Sequence, residues 1–500
     1  MNTINRKTLL TIGCAVALSG SLTACDPEFV NAVGNTQYSA GNVDFSRFVA
    51  VGDSLTAGFA DGTLYIHGQQ NSFPAILAEQ FAMVGGGAFT QPLMNDNNGG
   101  LLLSGTQIPG FGTRLVLAGS PLAPVAVSDA PTTDVSNIMP GPYNNMGVPG
   151  AKSFHLGFDN YGAIGGLLTV PATANPFYVR MAASQTAPNN NIVTDALMLG
   201  PSFFTLWIGN NDTLSYATGG GTGVDQLGNP NPATYGSSDL TDPTAFAGTY
   251  SGLVTALTSG GAKGVLINLP DVTSIPYFTT VPFNAIPMDQ ATADATNAGF
   301  ATYNATIAGL LTPAEAAQRT INFTAGQNAV VILDETLTDL TGVNPALLSM
   351  RHATAEDFIL LPSSSKIGTE ATPGNPLTTW GVSMPLEDGD VLTAAEATLV
   401  ANANAAFNAT IAAVADANPD LILFDAAAEM AQLASEGINY GTGTITTTFA
   451  TGGAFSLDGV HPTARGYAVI ANLIMDVIEA EFGAVLPPVD PSSFTTTFIQ

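Results

Sequence analysis

The sequence predicts an α/β fold in which helices cover both faces of a parallel sheet. Short apolar runs rich in β-branched residues, each closed by Gly, Asn or Pro, alternate along the chain with helical patterns of apolar residues. Strands that alternate with helices in this way are typical of parallel sheets buried on both faces. The predicted strands are residues 48–51, 204–208, 265–269, 330–333 and 421–424.

Helices are predicted where apolar stripes follow a capping residue. Ser72 is a cap candidate for the first helix, and Gly260 and Gly261 are a plausible stop for the second. Thr393 and Glu396 have the spacing of a capping box just before the third. The predicted helices cover residues 73–83, 245–257, 399–414 and 469–478.

Two stretches rich in Gly, Asn and Pro interrupt the alternation of strands and helices. Loops of this length inside a compact domain are usually functional or disordered. We expect insertions near residues 62–145 and 334–390, and we interpret them as walls or a lid of a substrate pocket. Residues 485–500, rich in Pro, Ser and Thr, are predicted to be a flexible tail.

The first residues have the pattern of a secretory signal. Arg6 and Lys7 precede an apolar run over residues 8–18, which is too short to span a membrane as a helix. The segment ends Leu22-Thr23-Ala24-Cys25, which resembles a bacterial lipobox. An ordinary signal with an incidental cysteine is the alternative.

A lipobox implies cleavage before Cys25 and lipidation of that cysteine. We therefore expect residues 1–24 to be a lipoprotein signal peptide and residues 25–44 to be a lipidated tether. The expected location is the bacterial cell envelope, with a lipid anchor and with the outer membrane favoured; the leaflet stays open.

Composition excludes several classes of function. Eleven Lys and Arg face 39 Asp and Glu, for a net charge of −28, which argues against binding nucleic acid or anionic lipid surfaces. The chain is 46% hydrophobic, which argues against disorder. Two cysteines and four histidines leave neither a disulfide framework nor a Cys-rich zinc site, and we expect no metal and no cofactor.

Two short motifs offer the parts of a nucleophilic site. Ser54, within Gly52-Asp53-Ser54-Leu55, follows the first predicted strand, where α/β sheets present their sites. Asp458 and His461 lie three residues apart just before the last predicted helix. A serine nucleophile needs such a base, and the base needs an acceptor to hold its tautomer. Read singly, each motif is also an ordinary polar turn.

Two more segments could stabilise a negatively charged oxygen. Asn211, within Gly209-Asn210-Asn211-Asp212, follows the predicted strand 204–208 and so lies at the same sheet edge as Ser54. A side-chain amide there could donate to a developing oxyanion. The glycine-rich segment 144–151 could present a backbone N–H.

In sequence order, these four blocks resemble those of the SGNH (GDSL) hydrolases. The lipobox and the stretch 54–74 make the chain similar to lipoprotein members of that family in Gram-negative bacteria. The resemblance implies a flavodoxin-like three-layer α/β/α fold with a five-stranded parallel sheet. It also implies a serine ester hydrolase of the esterase or lipase type that works through an acyl-enzyme.

The same resemblance assigns a role to individual residues. Ser54 would be the nucleophile, His461 the base and Asp458 the group that orients the base. The oxyanion hole would consist of the Ser54 N–H, the Gly150 N–H and the Asn211 side chain, with Gly147 as the alternative to Gly150 in the same turn.

The chain is longer than typical members of the family. Because Ser54 and His461 lie near opposite ends of the sequence and must meet, we expect residues 45–484 to form one domain with insertions. The expected partner is an ester substrate: an acyl lipid, a short acyl ester or an acylated glycan. The alternatives are a non-catalytic surface lipoprotein that binds lipid or glycan, and an acyltransferase.

Overall fold

The structure is a computed structural model that describes residues 36–186 and 190–500. The predicted signal peptide, residues 1–24, and the predicted lipidation site, Cys25, lie outside the described residues. Residues 39–500 form one compact unit, distinct from the chain up to Tyr38.

Strands and helices alternate along the described chain. The strands are β1 Phe48–Gly52, β2 Leu102–Leu103, β3 Thr106–Gln107, β4 Leu115–Ala118, β5 Ala123–Ala126, β6 Asn145–Gly147, β7 Phe203–Trp207, β8 Lys263–Ile267, β9 Ile286–Met288, β10 Gly326–Asn328, β11 Val331–Leu333, β12 Met350–His352, β13 Phe358–Ile359, β14 Val391–Leu392, β15 Leu421–Phe424, β16 Ile438–Asn439 and β17 Thr444–Ile445. The helices are α1 Ser54–Ala57, α2 Ile66–Gln70, α3 Phe73–Ala82, α4 Pro176–Met181, α5 Ile192–Leu197, α6 Asn210–Thr218, α7 Pro243–Thr258, α8 Pro276–Thr279, α9 Gln290–Leu310, α10 Pro313–Arg319, α11 Ala394–Asp416, α12 Ala426–Ser435 and α13 Ala464–Phe482.

Five strands form an all-parallel central sheet in the spatial order β15, β8, β7, β1, β6. Every residue of β1 and β7 is buried, as expected when both faces of a sheet are covered. The predicted α/β class with a parallel sheet is confirmed.

Helices pack in two pairs around this sheet. On one side α3 packs against α13, and Phe203 of β7 contacts Phe81 of α3 and Phe482 of α13, with ring centroids 5.7 and 6.4 Å apart. In the other pair α7 packs against α11, where Phe246 stacks on Phe407 at 4.2 Å. The arrangement is consistent with three layers, helices, sheet and helices.

Helix α11 begins at the predicted capping box. The Thr393 N–H donates to Glu396 Oε2 at 2.8 Å, and the helix buries Phe407 and Ile411 against its neighbours. By length and composition alone, α11 is the one helix among residues 36–186 and 190–500 that could cross a membrane. It also packs on α7 and β15, and its length and composition alone assign no membrane span.

The fifth strand of the sheet differs from the prediction. Residues 331–333 do form a strand, β11, but it pairs antiparallel with β12 outside the central sheet. The fifth strand of the central sheet is instead β6, which lies in the segment predicted to be a turn. Asn145 Nδ2 donates to the Thr56 carbonyl at 2.9 Å and Asn145 Oδ1 accepts the Gly147 N–H at 2.9 Å, so this polar side chain is satisfied inside the sheet.

Both predicted insertions contribute buried structure. In the first, Met94, Leu101 and Val135 form an apolar cluster with residues outside the insertion. In the second, Arg351 pairs with Asp334 at 2.6 Å and with Asp357 at 2.7 Å. The two segments are therefore folded parts of the compact unit, although their sequences show little periodicity.

The segment 485–500, predicted to be a flexible tail, is instead bound to the domain. Val485 pairs with Ser39 in an antiparallel bridge. Arg465 of α13 donates to the carbonyls of Pro491 and Phe494, both at 3.2 Å. Composition predicted a flexible tail, but these side-chain and backbone bonds give the segment defined partners on the domain.

Candidate active site

Ser54, His461 and Asp458 form one hydrogen-bonded series. His461 Nε2 lies 2.9 Å from Ser54 Oγ, and His461 Nδ1 lies 2.9 Å from Asp458 Oδ2. The fold closes this contact between residues 407 positions apart. In such a series an imidazole can take the serine proton while the carboxylate holds the imidazole in the required tautomer.

Ser54 is placed by the carboxyl end of β1 and by Asp53. The Asp53 carboxylate accepts the Leu55 N–H at 3.0 Å, which caps α1, and accepts Asn210 Nδ2 at 3.0 Å. Burial raises the pKa of Asp53 to about 6, although the bond from Asn210 opposes that shift. Because Asn210 begins α6, Asp53 ties the turn after β1 to the turn after β7.

Asp458 is oriented by its own turn before α13. Its Oδ1 accepts the N–H groups of Val460 at 2.8 Å and His461 at 2.9 Å. Burial alone would raise the pKa of Asp458, but the charge of His461 and the hydrogen bonds from His461 and Val460 outweigh it and lower the pKa to about 2. The carboxylate therefore stays ionised at neutral pH.

A second group of residues, absent from the sequence prediction, also holds Asp458. The Gly62 N–H donates to Asp458 Oδ2 at 2.9 Å, the oxygen that faces the imidazole. Ser456 Oγ donates to Asp458 Oδ1 at 3.1 Å and accepts the Asp61 N–H at 2.9 Å. Asp61 and Gly62 lie 395 and 396 positions from their partners, so no local pattern could reveal these bonds.

Asp61 joins the beginning of the domain to the Asp458 turn. Its backbone is left-handed, with φ +52°, which Asp tolerates better than most residues. Its carboxylate accepts Tyr65 OH at 2.7 Å and the Leu457 N–H at 3.1 Å. Burial raises the pKa of Asp61 to about 6, although both of these bonds oppose that shift.

We expect Asp61→Asn to weaken the pH dependence of stability between about pH 4 and pH 6. With a folded pKa above its ordinary value, the wild-type carboxyl contributes stability that is full below about pH 4 and is lost as the pH rises through 6. The gap between about 6 and 3.8 corresponds to about 3 kcal/mol. Urea unfolding at several pH values measures this. As the pH rises from about 4 to 6, the free energy of unfolding of the variant should increase relative to that of the wild type by up to this amount.

Asp289→Asn is a control of opposite sign. The Asp289 carboxylate accepts the Thr292 N–H at 2.7 Å, and this bond lowers the pKa of Asp289. As the pH rises, the free energy of unfolding of Asp289→Asn should not increase relative to that of the wild type. Parallel stability curves for Asp61→Asn and the wild type would contradict the proposed burial of an ionisable Asp61 carboxyl.

The predicted oxyanion donors lie at the ends of neighbouring strands. Asn211 is the second residue of α6, after β7, and Gly150 follows β6. Asn211 Nδ2 donates to the Ala151 carbonyl at 2.9 Å, which joins the two turns and leaves the second amide hydrogen. Within residues 36–186 and 190–500, the N–H groups of Ser54 and Gly150 have no acceptor.

The structure distinguishes Gly150 from Gly147. The Gly147 N–H is bonded within β6, whereas Gly150 is exposed with φ +79°. Asn175 Nδ2 donates to the Pro149 carbonyl at 2.8 Å. Because the C=O and N–H of a trans peptide point in opposite directions, the Gly150 N–H points away from Asn175. Gly150 is thus the residue of this turn with an N–H to offer.

Aromatic and inserted residues surround the imidazole. The Phe59 ring lies 4.5 Å from the His461 ring and 6.3 Å from Phe177, which contacts Phe111 of the first insertion at 5.7 Å. On another side, the Tyr277 N–H donates to the Gly459 carbonyl at 2.9 Å. Both contacts limit the movement of the turn that carries His461.

Three carboxyl groups outside the triad lie close enough to hold a metal ion. One oxygen or more of Glu335, Asp388 and Glu396 lies within 4.8 Å of the others. Glu396 Oε2 already accepts the Thr393 N–H and hydroxyl, both at 2.8 Å, as part of the α11 cap. We therefore assign Glu396 to the α11 cap, and burial, with repulsion from Glu335, raises the pKa of Glu396 to about 7.

No protein-family model matches the chain, and comparisons with curated proteins and with solved structures find no match either. The chemistry of the site is therefore inferred from its own contacts. Those contacts join a hydroxyl, an imidazole and an ionised carboxylate, with three N–H donors at the ends of adjacent strands.

Proposed function

We propose that the protein is a serine ester hydrolase of the esterase or lipase type, a member of the SGNH (GDSL) hydrolases. The observation that carries the proposal is the series in which His461 lies 2.9 Å from both Ser54 Oγ and Asp458 Oδ2. A hydroxyl within reach of a base that a carboxylate orients is an activated nucleophile.

The reaction begins when Ser54 Oγ attacks the carbonyl carbon of the ester and His461 Nε2 accepts the hydroxyl proton. The negative charge on the carbonyl oxygen is stabilised by the N–H groups of Ser54 and Gly150 and by the Asn211 amide. His461 then gives its proton to the leaving alcohol, and an acyl-enzyme remains on Ser54. Water attacks that ester, His461 takes a proton from the water, and the acid leaves as Ser54 regains its hydrogen.

Asp458 supports both steps without changing its own charge. Its pKa of about 2 keeps it ionised while His461 gains and loses a proton. The carboxylate therefore stabilises the imidazolium that forms in each step. Its bonds from Gly62 and Ser456 keep it in place for this role.

Strand order supports a flavodoxin-like fold. Numbered in chain order, the five sheet strands have the spatial order 2-1-3-4-5, which is that of flavodoxin. In such sheets ligands bind beyond the carboxyl ends of the strands, where the strand order reverses. Ser54 and Asn211 follow the two strands on either side of that point.

We also propose that the protein is exported and held at the bacterial cell envelope by a lipid on Cys25, with the outer membrane favoured. The support is the sequence of residues 1–25, which lie outside the described residues. The substrate would be an ester in reach of that membrane. The net charge of −28 disfavours nucleic acid as a partner.

A fluorophosphonate probe tests the proposal directly. We expect the probe to label the native protein on the peptide that contains Ser54, because the activated hydroxyl displaces fluoride at phosphorus. Heat-denatured protein and Ser54→Ala should stay unlabelled. Native protein that neither reacts with the probe nor hydrolyses p-nitrophenyl acetate would instead be a non-catalytic lipoprotein. Transfer of the acyl group to an added alcohol, with no release of free acid, would indicate an acyltransferase.

A further inference from the structure

An apolar cavity of about 110 Å³ lies beside the triad, and the catalytic steps do not use it. Leu55, which follows the nucleophile, forms part of its wall, as do Val460 and Pro462 on either side of the base. The rest of the wall comes mainly from α12, α13, β15 and the hairpin of β16 and β17, and Glu429 is the one charged residue that lines it.

We propose that this cavity binds the acyl chain of the substrate, and that the substrates are esters of short, straight, apolar acids. This inference rests on the proposed hydrolase function and adds the substrate class. The lining favours a hydrocarbon because it offers almost no hydrogen-bonding partner. Its position favours the substrate as the occupant, because the wall residues Leu55, Val460 and Pro462 are adjacent in sequence to Ser54 and His461.

The order of the reaction assigns the acyl part to this cavity rather than the alcohol part. The alcohol must leave, and water must enter, before the second step. Both movements need a route to solvent on the side of His461. The acyl chain stays attached to Ser54 through both steps, so an apolar cavity that need not be emptied between the steps suits it.

Cavity volume sets the chain length. An engineered apolar cavity of about 150 Å³ holds benzene, with six carbons, so by proportion about 110 Å³ holds about four. With the carbonyl carbon at Ser54, the chain fills the cavity at about five or six carbons. Each buried methylene should raise kcat/KM about fourfold until the cavity is full.

The test is a chain-length series of p-nitrophenyl esters, from acetate to octanoate, with the wild type and two variants. Leu473 is a half-buried residue of the cavity wall, so Leu473→Trp should fill the space. Val477 is half-buried one turn further along α13 and does not line the cavity, so Val477→Trp is the matched control.

The wild type and Val477→Trp should hydrolyse the hexanoate on the order of 100-fold faster than the acetate, with no further rise at the octanoate. Leu473→Trp should lose most of the preference for the hexanoate, so that its ratio of kcat/KM for the hexanoate to kcat/KM for the acetate falls toward one. Equal chain-length profiles in all three proteins would overturn the cavity assignment and leave the hydrolase intact.

A second measurement covers a Leu473→Trp variant that fails to fold. Alkylphosphonate p-nitrophenyl esters of increasing chain length react once with Ser54 and place the alkyl group where the acyl chain would lie. Because phosphorus takes the place of the carbonyl carbon, inactivation of the wild type should accelerate up to an alkyl group of about four or five carbons and then level off. A rate independent of chain length would overturn the cavity assignment, whereas no inactivation at all, together with no ester hydrolysis, would overturn the hydrolase.

Discussion

Ser54→Ala should lower kcat for p-nitrophenyl ester hydrolysis on the order of 10⁶-fold. The reason is that the variant has no oxygen to form the acyl-enzyme, while His461 and Asp458 remain in place. The residual rate would come from substrate binding and the oxyanion hole alone. The substitution removes one atom from a side chain that is 7% exposed, so the fold should persist. Steady-state kinetics and the urea unfolding midpoint measure the two effects.

Ser251→Ala is the matched control for this change. Ser251 is exposed on α7, so its variant should keep wild-type kinetics. Ester hydrolysis that survives in a folded Ser54→Ala protein would mean that another group attacks the substrate. The assignment of Ser54 as nucleophile would then be wrong.

His461→Ala should cost nearly as much as Ser54→Ala. Without the imidazole, no base among residues 36–186 and 190–500 lies within 2.9 Å of Ser54 Oγ to take its proton. Because the two residues act as a unit, the double variant should be no slower than either single variant. Added imidazole should restore part of the rate in His461→Ala and none in Ser54→Ala.

His67→Ala is the control for loss of a histidine. His67 is half-buried on α2, where its ring lies 5.4 Å from that of Phe498, and it has no place in the proposed triad. Its variant should therefore remain active and should not respond to imidazole. Additive losses in the double variant, or a His461→Ala rate close to that of the wild type, would show that His461 is not the base.

The strands that sequence predicts well are those with continuous apolar runs. β1, β7, β8 and β15 are buried on both faces, so every position favours apolar side chains and the signal is strong. β6 was missed because Asn145 and Gly147 have low strand propensity. Its strand geometry comes from pairing with β1 and from the bonds of the Asn145 side chain, neither of which is visible locally.

Residues 330–333 show a different limit. The apolar run correctly predicted a strand, but its partner is β12, a nearby segment of the second insertion. An apolar run indicates that a strand is buried, but it does not indicate which sheet the strand belongs to. Sequence therefore predicts strands better than it predicts their neighbours.

The candidate site likewise contains residues that sequence can predict and residues that it cannot. Ser54, Asp458 and His461 carry motifs that are compact in sequence, so their roles could be predicted before any contact was known. Asp61 and Ser456 act through bonds to remote partners, and each looks like an ordinary turn residue in isolation. The apolar cavity draws its wall from several elements, so it exists only in the folded chain.

The contact between Ser54 and His461 also determines when the serine becomes activated. In the export that we propose, the chain emerges from the amino terminus, so the Ser54 hydroxyl crosses the membrane before the His461 imidazole 407 positions later. A partly exported chain holds a serine that is no more reactive than any other alcohol. Under the proposed function, ester hydrolysis therefore begins only after position 461 has crossed the membrane and the two ends have folded together.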